Sequence, residues 1–224
     1  MLDDFSFSRL LSITFLRLQF DTEGQQRAAP AVAFPSNNKI LLTFDDGPTV
    51  EATQTILKAL DENKIKALFF CVGQNIERKS ELAKEVITQG HSIGNHNYSH
   101  KSLIKLSKED QISEIKKCND VIYNMLGVEP VYYRPPYGRY RLSTNKLLKQ
   151  FKLKNIMWSL LTYDFKNDFN LVKSAVDKNL KSDSIIVLHD NIKSSDIIVD
   201  SIRYIVDKAS EEGYKFGDPA ECLK

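Results

Sequence analysis

The sequence predicts an α/β protein, with about seven mostly parallel strands covered by helices. Three observations lead there. From Lys39 onward, short apolar runs alternate with amphipathic stretches of helical period. Turn and stop signals separate them, among them Asp-Asp-Gly-Pro48, Gly90, Gly127 and Pro135-Pro136. Polar, chemistry-bearing residues recur where the apolar runs end.

Lys39-Ile-Leu-Leu-Thr-Phe44 is a compact apolar run cut by Asp45-Asp-Gly-Pro48, as expected of a buried strand. Ile56, Leu57 and Leu60 then share a helical face, with Thr49 as the expected N-cap. Lys66–Val72 is the second strand, and 77–89 a single helix stopped by Gly90. His91–Asn95 is the third strand. A long helix follows, opened by the capping sequence Ser107-Lys-Glu-Asp110 and stopped at Gly127. Val131–Arg134 is the fourth strand, ended by two prolines, and Ser143 or Thr144 caps a helix through Phe151. Asn155–Ser159 is the fifth strand, 170–180 a helix, and Asp183–Leu188 the most apolar strand. An amphipathic helix over 197–210 and a short strand, Gly213–Phe216, complete the body. Barrel-like closure and an open doubly wound sheet both fit that count.

In such folds the loops at the carboxyl ends of the strands converge on the active site. Asp45-Asp46 ends the first strand, Asn95-His96 the third, Arg134 the fourth and His189-Asp190 the sixth, while Asp164 lies just past the fifth. A soluble domain needs polar loops anyway, so one instance means little. Three of the four histidines at such ends is a stronger pattern.

His96-Asn-Tyr-Ser-His100 has the i, i+4 spacing that puts two imidazoles on one face of a helical turn, within reach of one metal ion. The same spacing also occurs in surface and capping pairs. The zinc-protease pattern needs a carboxylate directly after the first histidine, and here that residue is Asn97. Asp45-Asp46 is the available supply: one carboxylate for the metal, its neighbour to take a proton from metal-bound water. Asp, His and His leave positions open, as catalytic sites do. His189 is the remaining strand-end imidazole and the candidate acid.

Composition narrows the partners. The chain has 31 Lys+Arg and 29 Asp+Glu, a net charge of +2, which gives no reason to expect nucleic acid or a membrane surface. Its three cysteines leave at least one unpaired in a monomer, and no CxxC pair suggests a thiolate metal site. Residues 1–38 hold no lysine and form an N-terminal extension to a body of 39–224. Its apolar run, Leu10–Phe20, is interrupted by Arg17, preceded by Asp3 and Asp4, and too short to span a bilayer. A degenerate signal, an anchor and a packed arm are the open readings.

Thr43-Phe-Asp-Asp-Gly-Pro48, His96-x-x-x-His100, Arg134-Pro-Pro-Tyr-Gly138 and Val187-Leu-His189, in that order, resemble the polysaccharide deacetylases of carbohydrate esterase family 4. The resemblance covers about residues 39–216. It implies a distorted, partly closed (β/α) barrel that removes N-acetyl, sometimes O-acetyl, groups from sugars with a divalent metal, usually Zn2+, with Co2+ or Ni2+ as alternatives. By position, Asp45 would be the base, and Asp46, His96 and His100 the metal ligands. Arg134 would hold Asp45 ionised and oriented. Tyr137 would offer its backbone N–H to the oxyanion, and His189 would be the acid. His91 would pack beneath the metal loop.

Three departures stand out. Asn97 replaces a common Ser or Thr. In the fourth motif Leu161 and Phe165 stand where a carboxylate and Trp are usual, leaving Asp164 as the carboxylate to tune His189. Val187 replaces Leu. The expected partner is a carbohydrate, N-acetylglucosamine oligomers or peptidoglycan, met by a monomer. Segments 139–145 and 166–168 are candidate contacts, with Arg139 and Arg141 suited to an acidic glycan. An O-acetyl esterase acting on xylan and a non-catalytic carbohydrate binder are the alternatives. The substrate class favours the cell envelope or secretion.

Overall fold

The structure, a computed structural model, describes residues 38–223. The extension expected over 1–38 therefore lies, apart from Asn38, outside the described residues.

Along the chain, β1 (Lys39–Asp45) leads through α1 (Thr53–Glu62) to β2 (Leu68–Cys71), and α2 (Gly73–Arg78) and α3 (Ser80–Thr88) follow. β3 (Ser92–Asn95), α4 (Lys108–Leu126), β4 (Tyr132–Tyr133), α5 (Leu142–Gln150) and β5 (Lys154–Asn155) come next. β6 (Leu160–Leu161), α6 (Phe169–Asn179), β7 (Ile185–His189), α7 (Ile198–Glu211), β8 (Lys215–Phe216) and α8 (Pro219–Cys222) complete the described body. The strands pair in the order β5-β4-β3-β2-β1-β7-β6, with β8 beside the start of β1, and every pairing is parallel.

That order forces curvature. β5 and β6 are opposite edges of the path, yet only Ile156–Ser159 separates them. Such a link spans at most about 18 Å, whereas a flat sheet of this order would be roughly 29 Å across. The sheet curls until its edges approach, giving the partly closed barrel. The single strand expected over 155–159 is thus two short edge strands, with the intervening residues bridging the gap.

Side chains on β1 alternate between two environments. Ile40, Leu42 and Phe44 join the large core between sheet and helices, together with Phe69, Ile186 and Leu188. Leu41 points the other way and packs inside the curl with Leu68, Phe70, Ile156, Ile185, Cys222 and Leu223. The period of two carries Thr43 and Asp45 onto this inner face, above the apolar plug, near the carboxyl ends of the strands.

Several helix boundaries differ from expectation. Ser107 caps α4 as expected, accepting from Asp110 N, and Gly127 ends it at φ 68°. The helix expected over 77–89 breaks at Lys79 (φ −139°, ψ 48°) into α2 and α3. Ile76, Ala83 and Val86 keep one buried face across the break, so periodicity alone does not reveal it. Thr49 does not cap α1; its hydroxyl is turned inward to Asp190. Thr144 acts from inside α5, accepting from Arg141 N at 3.2 Å. No helix among the described residues is long and apolar enough to cross a membrane.

Candidate active site

Arg134, fully buried just past β4, organises the inner mouth of the barrel. Its Nη1 donates to Asp45 Oδ1 and Thr43 Oγ1, both at 2.7 Å, and its Nε donates to the Ile156 carbonyl at 2.9 Å. Thr43 spends its own hydrogen on the Ile186 carbonyl, so its oxygen is free to accept. The guanidinium lies over Phe70, 4.2 Å from the ring centroid. A buried cation paired with a buried carboxylate fixes Asp45 and ties four strands or their extensions together.

Asp46 leaves the sheet at φ 80°, a left-handed conformation that turns its side chain out of the strand's alternation. Its Oδ1 lies 3.0 Å from His100 Nε2 and 3.6 Å from His96 Nε2. His96 Nδ1 is 2.8 Å from the Arg134 carbonyl. A carbonyl only accepts, so Nδ1 carries the hydrogen and Nε2 presents its lone pair to the cluster. One ligand atom each from Asp46, His96 and His100 lies within 4.8 Å of the others. Two imidazole nitrogens and one carboxylate oxygen form a donor set that divalent transition metals accept. Burial alone would raise the Asp46 pKa, but the neighbouring His100 and His96 imidazoles outweigh it and hold the carboxyl well below its ordinary value.

The two histidines do not meet on a helical turn, contrary to the spacing argument. The segment is a loop in which Asn97 (φ 63°) and His100 (φ 57°) are left-handed. Asn97 fixes it: its Oδ1 accepts from the Tyr133 hydroxyl at 2.8 Å, and its Nδ2 donates to the Lys101 carbonyl at 2.9 Å. The residue departing from the family pattern thus anchors the metal-type loop, and asparagine tolerates its φ well.

His189 ends β7 and meets Asp164. Their ring Nδ1 and Oδ1 are 2.8 Å apart, and Asp164 Oδ2 accepts from the His189 backbone N–H at 2.7 Å. Burial pushes the imidazole pKa down, but the fully buried Asp164 carboxylate overrides it, with help from Asp46 and Asp45, to about 9. Phe165 sits edge-on against this ring, with centroids 5.0 Å apart. The altered fourth motif keeps its carboxylate in contact and replaces Trp with a smaller ring.

Tyr137 lies in a short 3-10 turn at φ 60°, an exposed residue whose ring is edge-on to His100. His91 packs against Phe69 at the opposite, amino-terminal end of β3, and its Nδ1 accepts from Ala67 N. Arg141 spends a donor on the Ile104 carbonyl, and Asp168 caps α6. All eight candidate residues otherwise gather at one mouth.

Three contributors have no role in the sequence reading, which places Asp190 at a strand end and passes over the other two. Asp190 accepts from Thr49 and Thr53 hydroxyls, and burial, which outweighs those bonds, lifts its pKa to about 6. Asn75 donates to the Asp46 carbonyl, and Asn191 to Asp46 Oδ2. None has a local signature; the position of Asp190 beside His189 is the nearest to one.

A family model for polysaccharide deacetylase matches residues 34–156, more than half of the chain. The chain is 31% identical to a peptidoglycan-N-acetylglucosamine deacetylase of Bacillus cereus over 197 residues, covering 85% of this chain and 70% of the relative. It is 33% identical to the peptidoglycan-N-acetylmuramic acid deacetylase PdaC of Bacillus subtilis, covering 81% of this chain but only 38% of that longer protein. Among solved structures, a peptidoglycan N-acetylglucosamine deacetylase bound to an N-hydroxybenzamide compound superposes with a TM-score of 0.80 at 30% identity, covering 85% and 91% of the two chains.

Proposed function

The chain belongs to the polysaccharide deacetylase family, and on that premise we propose that it hydrolyses N-acetyl groups of peptidoglycan amino sugars with the help of a divalent metal, most simply Zn2+. The observation that carries this reading is the Asp46–His96–His100 cluster. It is flanked by an Arg134-held carboxylate and an Asp164-held imidazole. The names of the matched relatives favour peptidoglycan over chitin oligomers as the first substrate to try.

In this mechanism Asp46, His96 and His100 hold the ion, which when bound polarises the acetyl carbonyl and acidifies water. Asp45 takes the proton from the attacking water; Arg134 fixes its Oδ1, leaving Oδ2 on the side of His96, 3.9 Å from Nε2. The backbone N–H of Tyr137, in the turn beside His100, is assigned to the oxyanion that forms. His189, kept protonated by Asp164, delivers a proton to the departing amine, so acetate and a free amino sugar leave.

The test is acetate release from peptidoglycan, chitin oligomers and acetylated xylan, by wild type and Asp45→Asn, with and without chelator. Release from peptidoglycan that both chelation and the substitution abolish is expected. Release that survives both would overturn the mechanism. Preference for xylan would favour the O-acetyl esterase, and substrate binding without turnover the carbohydrate binder.

A further inference from the structure

Asn191 stands two residues beyond His189, in a segment the mechanism does not otherwise use. Its Oδ1 accepts from two backbone donors, Lys193 N at 2.9 Å and Ser194 N at 3.2 Å. Those bonds settle which end of the amide is which, because reversing it would set an NH2 group against two N–H donors. Nδ2 is therefore aimed outward, and it donates to Asp46 Oδ2 at 2.7 Å.

The two oxygens of Asp46 are thus divided. Oδ2 is taken by Asn191, while Oδ1 alone faces His96 and His100. The Asp46 backbone is held as well, by Asn75. The segment bearing Asn191 is itself anchored: Asp190 N donates to the Asp45 carbonyl at 2.8 Å, and the Ser194 hydroxyl donates to the His189 carbonyl.

We infer that Asn191 is a positioning residue that presents Asp46 to the ion through one oxygen and ties the ion site to the acid-bearing segment. This rests on the metal reading above. The residue type fits the task. Aspartate could close the same turn but has no hydrogen to give Asp46. Serine can accept in the turn but does not reach the carboxylate. Groups that hold a ligating carboxylate in this way affect metal binding without touching the ion.

The experiment measures the Zn2+ dissociation constant of the full chain by competition with a chromogenic chelator, for wild type, Asn191→Ser, Ser194→Ala and His96→Ala. Metal-free melting curves check that each variant folds. Asn191→Ser should weaken Zn2+ about 10–100-fold. Ser194→Ala, which loosens the same segment without touching Asp46, should stay within about twofold of wild type. Added Zn2+ should recover part of the acetate release of Asn191→Ser. An unchanged dissociation constant in Asn191→Ser overturns the inference, as does an equal loss in Ser194→Ala. A wild type that binds no Zn2+, or binds it no better than His96→Ala, overturns the metal reading instead, and the inference falls with it.

Discussion

Asp164 grips His189 twice, through the ring Nδ1 at 2.8 Å and through the backbone N–H at 2.7 Å. One carboxylate therefore sets both the place and the charge of the imidazole. With its pKa raised to about 9, His189 keeps its acidic proton below that pH and loses it above.

Activity should accordingly fall on the alkaline side as His189 deprotonates. A cation beside Asp46 cancels part of the push from that carboxylate, so the limb in the metal-loaded enzyme lies below 9. Asp164→Asn removes the largest opposing influence to burial, and the limb should move to lower pH by about one unit or more. Profiles of kcat against pH for both proteins check this. Superimposable profiles would remove Asp164 from the role.

Arg134 should be far harder to lose than its partner. Arg134→Leu strands the Asp45 charge in a buried site and leaves the Ile156 carbonyl and Thr43 without their donor, a cost of about 3–5 kcal/mol. Lysine has a single nitrogen and cannot serve all three acceptors in their present places, so Arg134→Lys should recover little. Asp45→Asn keeps an acceptor for Arg134 but leaves the buried guanidinium without its counter-charge. It should cost less stability than Arg134→Leu, while losing about 100-fold or more in kcat. Denaturant unfolding and single-turnover acetate release separate the two effects.

Metal should stabilise the fold as well as enable turnover. Zn2+ at about one hundred times its dissociation constant adds roughly 2.7 kcal/mol to a chain that binds it only when folded. The melting temperature should rise on adding Zn2+ and fall back with chelator. His96→Ala/His100→Ala should melt at the same temperature in either condition.

That the site's residues gather at one place was legible in the sequence, because unusual side chains stand where parallel strands end. Asp45, Asp46, His96, Arg134 and His189 needed only the strand pattern to be placed at one mouth. The barrel's closure was not legible locally: the division at 155–161 follows from where β5 and β6 sit in the whole sheet. Nor was the path through His96–His100, which depends on left-handed backbone at Asn97 and His100 and on a bond from Tyr133, distant in sequence. Asn75, in α2, and Asn191, in the loop after β7, are ordinary asparagines until folding brings them to Asp46. Their roles come from partners far along the chain.

The sharpest packing constraint lies between Gly47 and Asp190. A Cβ on Gly47 would overlap the Asp190 carboxylate, which cannot step aside because Thr49 and Thr53 hydroxyls hold its two oxygens at 2.8 and 2.7 Å. Gly47→Ala should therefore destabilise the fold by about 2–4 kcal/mol, through either a displaced turn or a buried carboxylate torn from its donors. Asp190→Ala alone also costs stability, since it leaves a small void and takes away the acceptor of the Thr49 and Thr53 hydroxyls. In Gly47→Ala/Asp190→Ala, however, the new methyl enters the space the carboxylate vacates. The double variant should be more stable than the sum of the single losses predicts, by at least about 1 kcal/mol. Urea unfolding of the four proteins closes the cycle. Strict additivity would mean that the turn carrying Asp45 and Asp46 yields to the methyl by moving as a whole, without pressing on Asp190.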